Sequence, residues 1–262
     1  MVRARVVDHD EAARLRSEPL RVAAMFGRIA GRYDLMNALM TAGLDRRWRG
    51  LAAAQAGLGP GDRGLDVCCG TGDLTMELAR RYRHSAIVGL DLSEPMLARA
   101  RRKARRTGAG TVDDDGRVAF VRADAHEPPF PDAVFGAVTA AFGVRNLPDL
   151  PRAFSALWRV TRPGGRLVCL EITTPPPGPG RRFHAFWFDR CVPLLGRLIA
   201  GDGAAYSYLP ASVRAFPDAG GLARLLYDAG WRSIRFRRLG MGIVALHVAE
   251  KPAAAVAAGG AS

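Results

Sequence analysis

Apolar residues along this chain fall into short, strand-length runs that alternate with longer segments of helical period. The runs at 64–69, 86–90, 117–122, 133–141 and 166–171 carry few polar breaks, as strands covered on both faces do. That alternation predicts an α/β fold, a doubly wound parallel sheet with helices on both faces. Two last runs, near 233–238 and 242–249, predict a hairpin-like end to the sheet. The first strand should run into Gly70, Thr71 and Gly72 and then a helix reaching about Arg81. Asp91 ends the second strand, Ser93 is expected to cap the next helix, and Pro95 is tolerated in its first turn. A helix over 150–160 should stop at Pro163, Gly164 and Gly165.

The remaining segments define the organisation. Residues 1–20 are polar and read as a loose lead-in, 21–252 as a single domain, and 253–262 as a disordered tail. Residues 181–200 crowd Phe183, Phe186, Trp187, Phe188, Leu194, Leu195, Leu198 and Ile199 together. Asp189, Arg190, Arg197 and Pro193 interrupt them, so the stretch reads as an amphipathic lid or a core helix rather than a membrane span. No uncharged apolar run of about 18 residues occurs and the first residues lack the apolar core of a signal peptide, so a cytoplasmic setting is expected.

Composition changes this picture little. A 262-residue chain that is 48% hydrophobic is long enough for one packed core. Its net charge of +13 is almost all Arg, with only Lys103 and Lys251 as lysines, and favours anionic partners without choosing among them. Cys68, Cys69, Cys169 and Cys191 show neither zinc spacing nor a plausible disulfide framework, and read as small buried apolar residues; no metal is expected.

Candidate chemistry sits at the strand ends. Asp66 precedes a turn with Gly70, Thr71 and Gly72, where glycine lets backbone approach a ligand. Asp91, at the end of the second strand, offers two carboxylate oxygens to two ribose hydroxyls. Asp124 and Ala125, after the third strand, are placed to read an adenine edge. A dinucleotide site would need a third glycine where Thr75 stands, so a nucleoside is favoured over a dinucleotide.

Further segments narrow the reading: Phe26 to Asn37 with Tyr33 and Asp34; Gly43 to Trp48; Ala141, Phe142, Gly143, Arg145 and Asn146; Pro163 to Glu171; and Tyr206, Tyr208, Leu209, Ser212 and Arg214. This set resembles the ubiquinone/menaquinone C-methyltransferase family from roughly Phe26 to Lys251. The resemblance implies a Rossmann-like class I methyltransferase fold, with a mostly parallel seven-stranded sheet, helices on both faces and a final antiparallel strand. It implies S-adenosylmethionine as cofactor, held by Thr71, Asp91, Asp124, Ala125 and Ala141, with Asp66, Gly70 and Gly72 added on the physical grounds above. It also implies a helical cap over 21–60 and a substrate lid over 175–215. The implied reaction is ring-carbon methylation of a prenylated quinol, demethylmenaquinol or a related benzoquinol.

A quinol carbon becomes nucleophilic as its neighbouring hydroxyl loses a proton, and a phenol near pKa 10 needs help at neutral pH. Arg145 is the candidate for stabilising the phenolate, Asn146 for orienting the second oxygen and Tyr33 for positioning the ring. The proton acceptor is left open between a carboxylate-held water, His126, His184 and His247. An anionic membrane surface and a homodimer stand as further partners to test. An RNA substrate is disfavoured because no RNA-binding module is appended. The rivals are a methyltransferase of small phenols and a non-catalytic nucleotide-binding scaffold.

Overall fold

The computed structural model describes residues 18–107, 117–178, 180–182, 187, 190 and 203–253, without the side chains of 32, 33, 36, 40 and 203–207. The expectations for 1–17, 254–262, Cys191, His184 and most of 183–202 therefore lie outside the described residues. The chain opens with α1 (Pro19–Met40) and α2 (Leu44–Gln55). Then come β1 (Arg63–Val67), α3 (Asp73–Arg81), β2 (Ala86–Asp91), α4 (Glu94–Thr107), β3 (Val118–Arg122) and β4 (Phe135–Ala141). A 3-10 turn (Val144–Asn146) leads to α5 (Leu150–Val160) and β5 (Thr161–Ile172). The last elements are α6 (Gly203–Ala215), α7 (Ala219–Asp228), β6 (Arg232–Leu239), a 3-10 turn (Gly240–Gly242) and β7 (Val244–Glu250).

Seven strands form one sheet in the order β3-β2-β1-β4-β5-β7-β6. The first five pair in parallel, and β7 inserts antiparallel between β5 and β6. The order reverses between β1 and β4, so a crevice opens at the carboxyl ends of these strands, where ligands of such sheets bind. Each face has its own core. One packs Phe154, Leu157, Leu226 and Trp231 against Leu65, Val138 and Leu167; the other packs Trp48, Ala52, Ala53, Leu74 and Leu78 against Ile87, Val168 and Leu246.

Local chemistry explains most boundaries. Asp149 caps α5 by accepting from the Arg152 amide at 3.0 Å, and Asp218 caps α7 from Gly221 at 2.7 Å. Two expectations need correcting. Pro163, Gly164 and Gly165 do not follow α5 as a turn; β5 already begins at Thr161, and these residues bulge out of it between Thr161, opposite Phe135, and Arg166, opposite Ala137. Ser93 stands at the start of α4, but the buried Ser93 hydroxyl has no hydrogen-bond partner among the described residues. Asp91 instead closes the turn ahead of the helix by accepting from the Ser93 amide at 2.8 Å, and Pro95, in the first turn, has no amide hydrogen for a cap to hold.

Candidate functional site

The turn after β1 is built by left-handed backbone. Cys68, Gly70 and Gly72 have φ of 54°, 54° and 83°, which is costly for cysteine and free for glycine. A Cβ on Gly70 would meet nothing within 4 Å, so open space lies over this backbone. A Cβ on Gly72 would stand 3.0 Å from Ala100 and 3.3 Å from the Phe120 ring, so Gly72 serves the packing of the turn and lines none of the three cavities below.

Three cavities surround the turn. The first, about 100 Å³, is lined by Cys68, Gly70, Asp91, Ser93, Asp124, Ala125, His126, Phe142 and Asn146 from the sheet side, and roofed by Pro19, Val22, Ala23 and Phe26 of α1. Helix α1 comes this close because a Cβ at Gly27 would already lie 3.1 Å from Pro95. A second cavity of about 20 Å³ is lined by Asp66, Cys69, Gly70, Thr71 and Ala141. The third, about 260 Å³, is mostly apolar: Leu39, Leu44, Trp48, Phe142, Ile172, Trp187, Leu209, Met241 and Val244 surround Asn37, Thr41, Asp45 and Arg145. Phe142, at φ 61°, is a wall of both the first and the third.

In the first cavity Asp91 accepts from the Gly70 amide at 2.8 Å on one oxygen and from the Ser93 amide on the other. Burial raises its carboxyl above the ordinary value, against the lowering pull of these amides. One lone pair of each oxygen remains for a further donor. Asp124 accepts from the His126 amide at 2.9 Å and faces the His126 ring at 2.6 Å. Burial pushes this carboxyl up, but the His126 contacts and Arg152 outweigh it and hold it below the usual range. The Ser93 hydroxyl and Asn146 Oδ1 are buried here without partners among the described residues. A vicinal diol at Asp91, an amine edge at Asp124 and two unmatched polar atoms fit an adenosine-bearing ligand.

Asp66 is wholly buried and binds protein: Thr75 donates to it at 2.6 Å and Thr139 at 3.1 Å. Burial pushes its pKa up to about 7, so β1 carries an acid that is about half protonated at neutral pH and largely protonated below it. Thr71 donates to Asp34 of α1 at 2.6 Å, and Lys103 reaches Asp34 at 3.0 Å, Thr71 at 3.3 Å and also Asp73. The Thr71 side chain thus fastens α1 to the glycine turn. Burial, then the charges of Asp91 and Asp66, raise the thiols of Cys68 and Cys69 well above their ordinary value. They stay protonated and are poor nucleophiles beside an alkylating cofactor.

Arg145 and Asn146 are adjacent but face different cavities. Arg145 is 5% exposed and donates to Glu171 at 2.8 Å through its guanidinium and at 3.1 Å through its amide, and also to the Phe142 carbonyl. Glu171 is 1% exposed and was not singled out for a role by sequence; neither were Asn37, whose buried Nδ2 lacks a partner among the described residues, and Asp45. Asp45 accepts from Thr41 at 3.1 Å and pairs with Arg49. It is the one carboxylate among the described residues lining the apolar cavity. Tyr33 lies on α1 with its side chain outside the described residues. His126 lines the polar cavity, whereas His247 sits on β7, stacked at 5.1 Å on Phe236, and lines none of the three cavities.

The sequence profile of the ubiE/COQ5 methyltransferase family matches residues 14–251. The chain belongs to the ubiE/COQ5 methyltransferase family. It is an S-adenosylmethionine-dependent methyltransferase. A demethylmenaquinone methyltransferase of Thermus thermophilus is 45% identical over 228 residues, 87% of this chain and 100% of that protein. Another, of Deinococcus radiodurans, is 43% identical over 88% of this chain and 92% of its own length. Among solved structures, an S-adenosylmethionine-dependent methyltransferase from Aquifex aeolicus superposes with TM-score 0.57 at 18% identity, covering 78% of this chain and 89% of that one. Phosphoethanolamine N-methyltransferase 2 of Haemonchus contortus, bound to S-adenosylmethionine, gives 0.56 at 16% identity over 78% of this chain and 52% of its own. These two establish the shared class I fold.

Proposed function

We propose that the chain methylates the ring carbon of demethylmenaquinol, a prenylated quinol, to give menaquinol. The observation that carries this reading is the apolar cavity of about 260 Å³ sharing Phe142 with the polar cavity. A flat aromatic ring in the first would lie across one side chain from a nucleoside in the second. The names of the 45% and 43% identical relatives support the naphthoquinol over the benzoquinol.

S-adenosylmethionine supplies an electrophilic methyl group. Asp91 takes the ribose hydroxyls, Asp124 and Ala125 the adenine edge, and the open backbone at Gly70 the methionine portion, with Asp66, Thr71, Gly72 and Ala141 shaping the turn beneath. Asn146, on the cofactor side, is a cofactor contact in this reading rather than the ring-orienting group that sequence suggested. Arg145 serves the ring oxygen. Because Glu171 already neutralises it, its contribution is a fixed, directional hydrogen bond more than net charge. Asn37 Nδ2 donates to the other ring oxygen, with Tyr33 four positions before it on α1 positioning the ring. Asp45 receives the proton, directly or through one water, and its ion pair with Arg49 fixes where the carboxylate stands.

The test is purified protein with S-adenosylmethionine and demethylmenaquinol, read by mass spectrometry of the extracted lipid. One added methyl on the ring supports the proposal. Methylation of soluble phenols with none of the prenylated quinol overturns it. Arg145→Ala should lower kcat by roughly a hundredfold or more, and Asp45→Asn by a similar factor. Full rate in either variant removes that residue's role.

A further inference from the structure

The apolar cavity opens through a rim that is greasy on the outside as well. Leu39, Leu44 and Met241 line the cavity and are 43%, 42% and 68% exposed. Leu35, one helical turn before Leu39 on α1, is 54% exposed on the same face. Met241 is held outward at φ 57°, a conformation a side-chain-bearing residue adopts at a cost, on the turn joining β6 to β7. Large apolar side chains scattered singly are ordinary, but four gathered at one cavity mouth are not.

Around this patch the charge has one sign. Arg47 is exposed on the first turn of α2, three positions after Leu44 and so next to it on the helix surface. Exposed Arg238 is the last residue but one of β6, its side chain 3.7 Å from where a Cβ on Gly242 would sit. Gly180 packs on the Met241 backbone, where a Cβ would meet the carbonyl oxygen at 2.8 Å, and this brings exposed Arg181 and Arg182 to the same turn. The nearby carboxylate, Asp45, is buried and paired with Arg49, so it does not offset the rim.

We infer that this rim is a docking face for an anionic lipid bilayer, with Leu35, Leu39, Leu44 and Met241 entering the headgroup layer and Arg47, Arg181, Arg182 and Arg238 pairing with lipid phosphates. The charge complementarity selects a phosphate-bearing surface, and the apolar centre selects a bilayer over a free polyanion. Docked in this way, the cavity mouth opens against the layer that holds a prenyl tail, so the ring enters the protein while the tail stays in lipid. The inference rests on the quinol reading for that last step only; the docking face itself does not depend on which ring is methylated.

Co-sedimentation of the full chain with vesicles of phosphatidylcholine alone and of phosphatidylcholine with phosphatidylglycerol tests it. Binding should be strong to the anionic vesicles, weak to the neutral ones and reduced by salt. The double variant Arg47→Glu/Arg182→Glu, and separately Leu35→Glu, should each lower vesicle affinity by about tenfold or more, with circular dichroism unchanged. Arg235→Glu/Arg237→Glu makes the same charge change on exposed residues of β6 and should leave most of the binding intact. Methyl transfer to a short-chain soluble quinol should be unaltered by Arg47→Glu/Arg182→Glu, while transfer to a long-chain quinol in anionic vesicles falls. Equal binding to neutral vesicles, unchanged binding of the rim variants, or equal loss in the β6 variant overturns the inference. A protein that binds vesicles as described yet methylates no quinol instead refutes the functional reading and leaves the docking face standing.

Discussion

The two main cavities are made in opposite ways. The polar one is assembled at strand ends from short stretches of sequence: Asp91 ends β2, Asp124 follows β3 by two residues, and backbone amides of the adjoining turns fix both carboxylates. The apolar one draws α1, α2, β5, the β6–β7 turn and Leu209 of α6 into one wall, from residue 37 to residue 244. Local backbone chemistry suffices to build a nucleoside site, whereas a site for a greasy ring needs the whole tertiary structure. Arg145, Phe142 and Glu171 form the seam between the two.

The largest expected effect comes from cutting that seam. Arg145→Ala strands the Glu171 carboxylate in the interior and should destabilise the fold by about 3–5 kcal/mol in urea unfolding. Arg145→Met/Glu171→Leu should recover much of it, since no lone charge remains buried. A small loss in the single variant would mean the pair is not buried in solution.

Nearly as large, but confined to the cofactor side, is the pH dependence placed on Asp66. Its pKa is about 7 when folded against 3.8 for the ordinary group, so the folded state binds the extra proton between these values. The sign is therefore a stability present in full below about pH 4 and lost as pH rises through about 7, on the order of 4 kcal/mol. Asp66→Asn should flatten this segment of the stability–pH curve; an unchanged slope would place the titration elsewhere.

A Cβ on Gly143 would lie 2.4 Å from the Cys68 Cβ, at the wall of the polar cavity. Gly143→Ala should cost about 1–3 kcal/mol and weaken S-adenosylmethionine binding measured by calorimetry, with a smaller change in quinol KM. Equal damage to both would show that the two sites are less separable than their construction suggests. The mildest change is Lys103→Met, which frees Asp34 and Asp73 from a partly exposed cluster. A loss of at most about 1 kcal/mol in stability is expected, with a few-fold rise in cofactor KM as α1 loosens over its cavity.

The same contrast governs what the sequence disclosed. Alternating apolar runs and terminal acids made the sheet, Asp91, Asp124 and the glycine turn legible, because each depends on neighbours a few residues away. Asp45 and Asn37 gave no such signal: their meaning comes from lining a cavity with Arg145, about a hundred positions downstream. Glu171 looked like the end of a strand and is the buried counter-ion of Arg145. Ser93 has the position of a helix cap, yet Pro95 two residues on has no amide hydrogen to give, and the Ser93 hydroxyl lines the cavity instead. Pro163 to Gly165 kept their turn-forming character but spent it inside β5, where resumed pairing with β4 outweighs the break.

The insertion of β7 between β5 and β6 bears on how the protein is made. Until residues 232–250 have left the ribosome, β5 presents a bare row of amides and carbonyls, the kind of template on which nascent chains associate wrongly. The hairpin that seals that edge also delivers Met241 and Val244 to the apolar cavity. Synthesis therefore completes the sheet and the apolar cavity in one stroke, and a chain ended before that hairpin keeps the strands that build the polar cavity while lacking two walls of the apolar one.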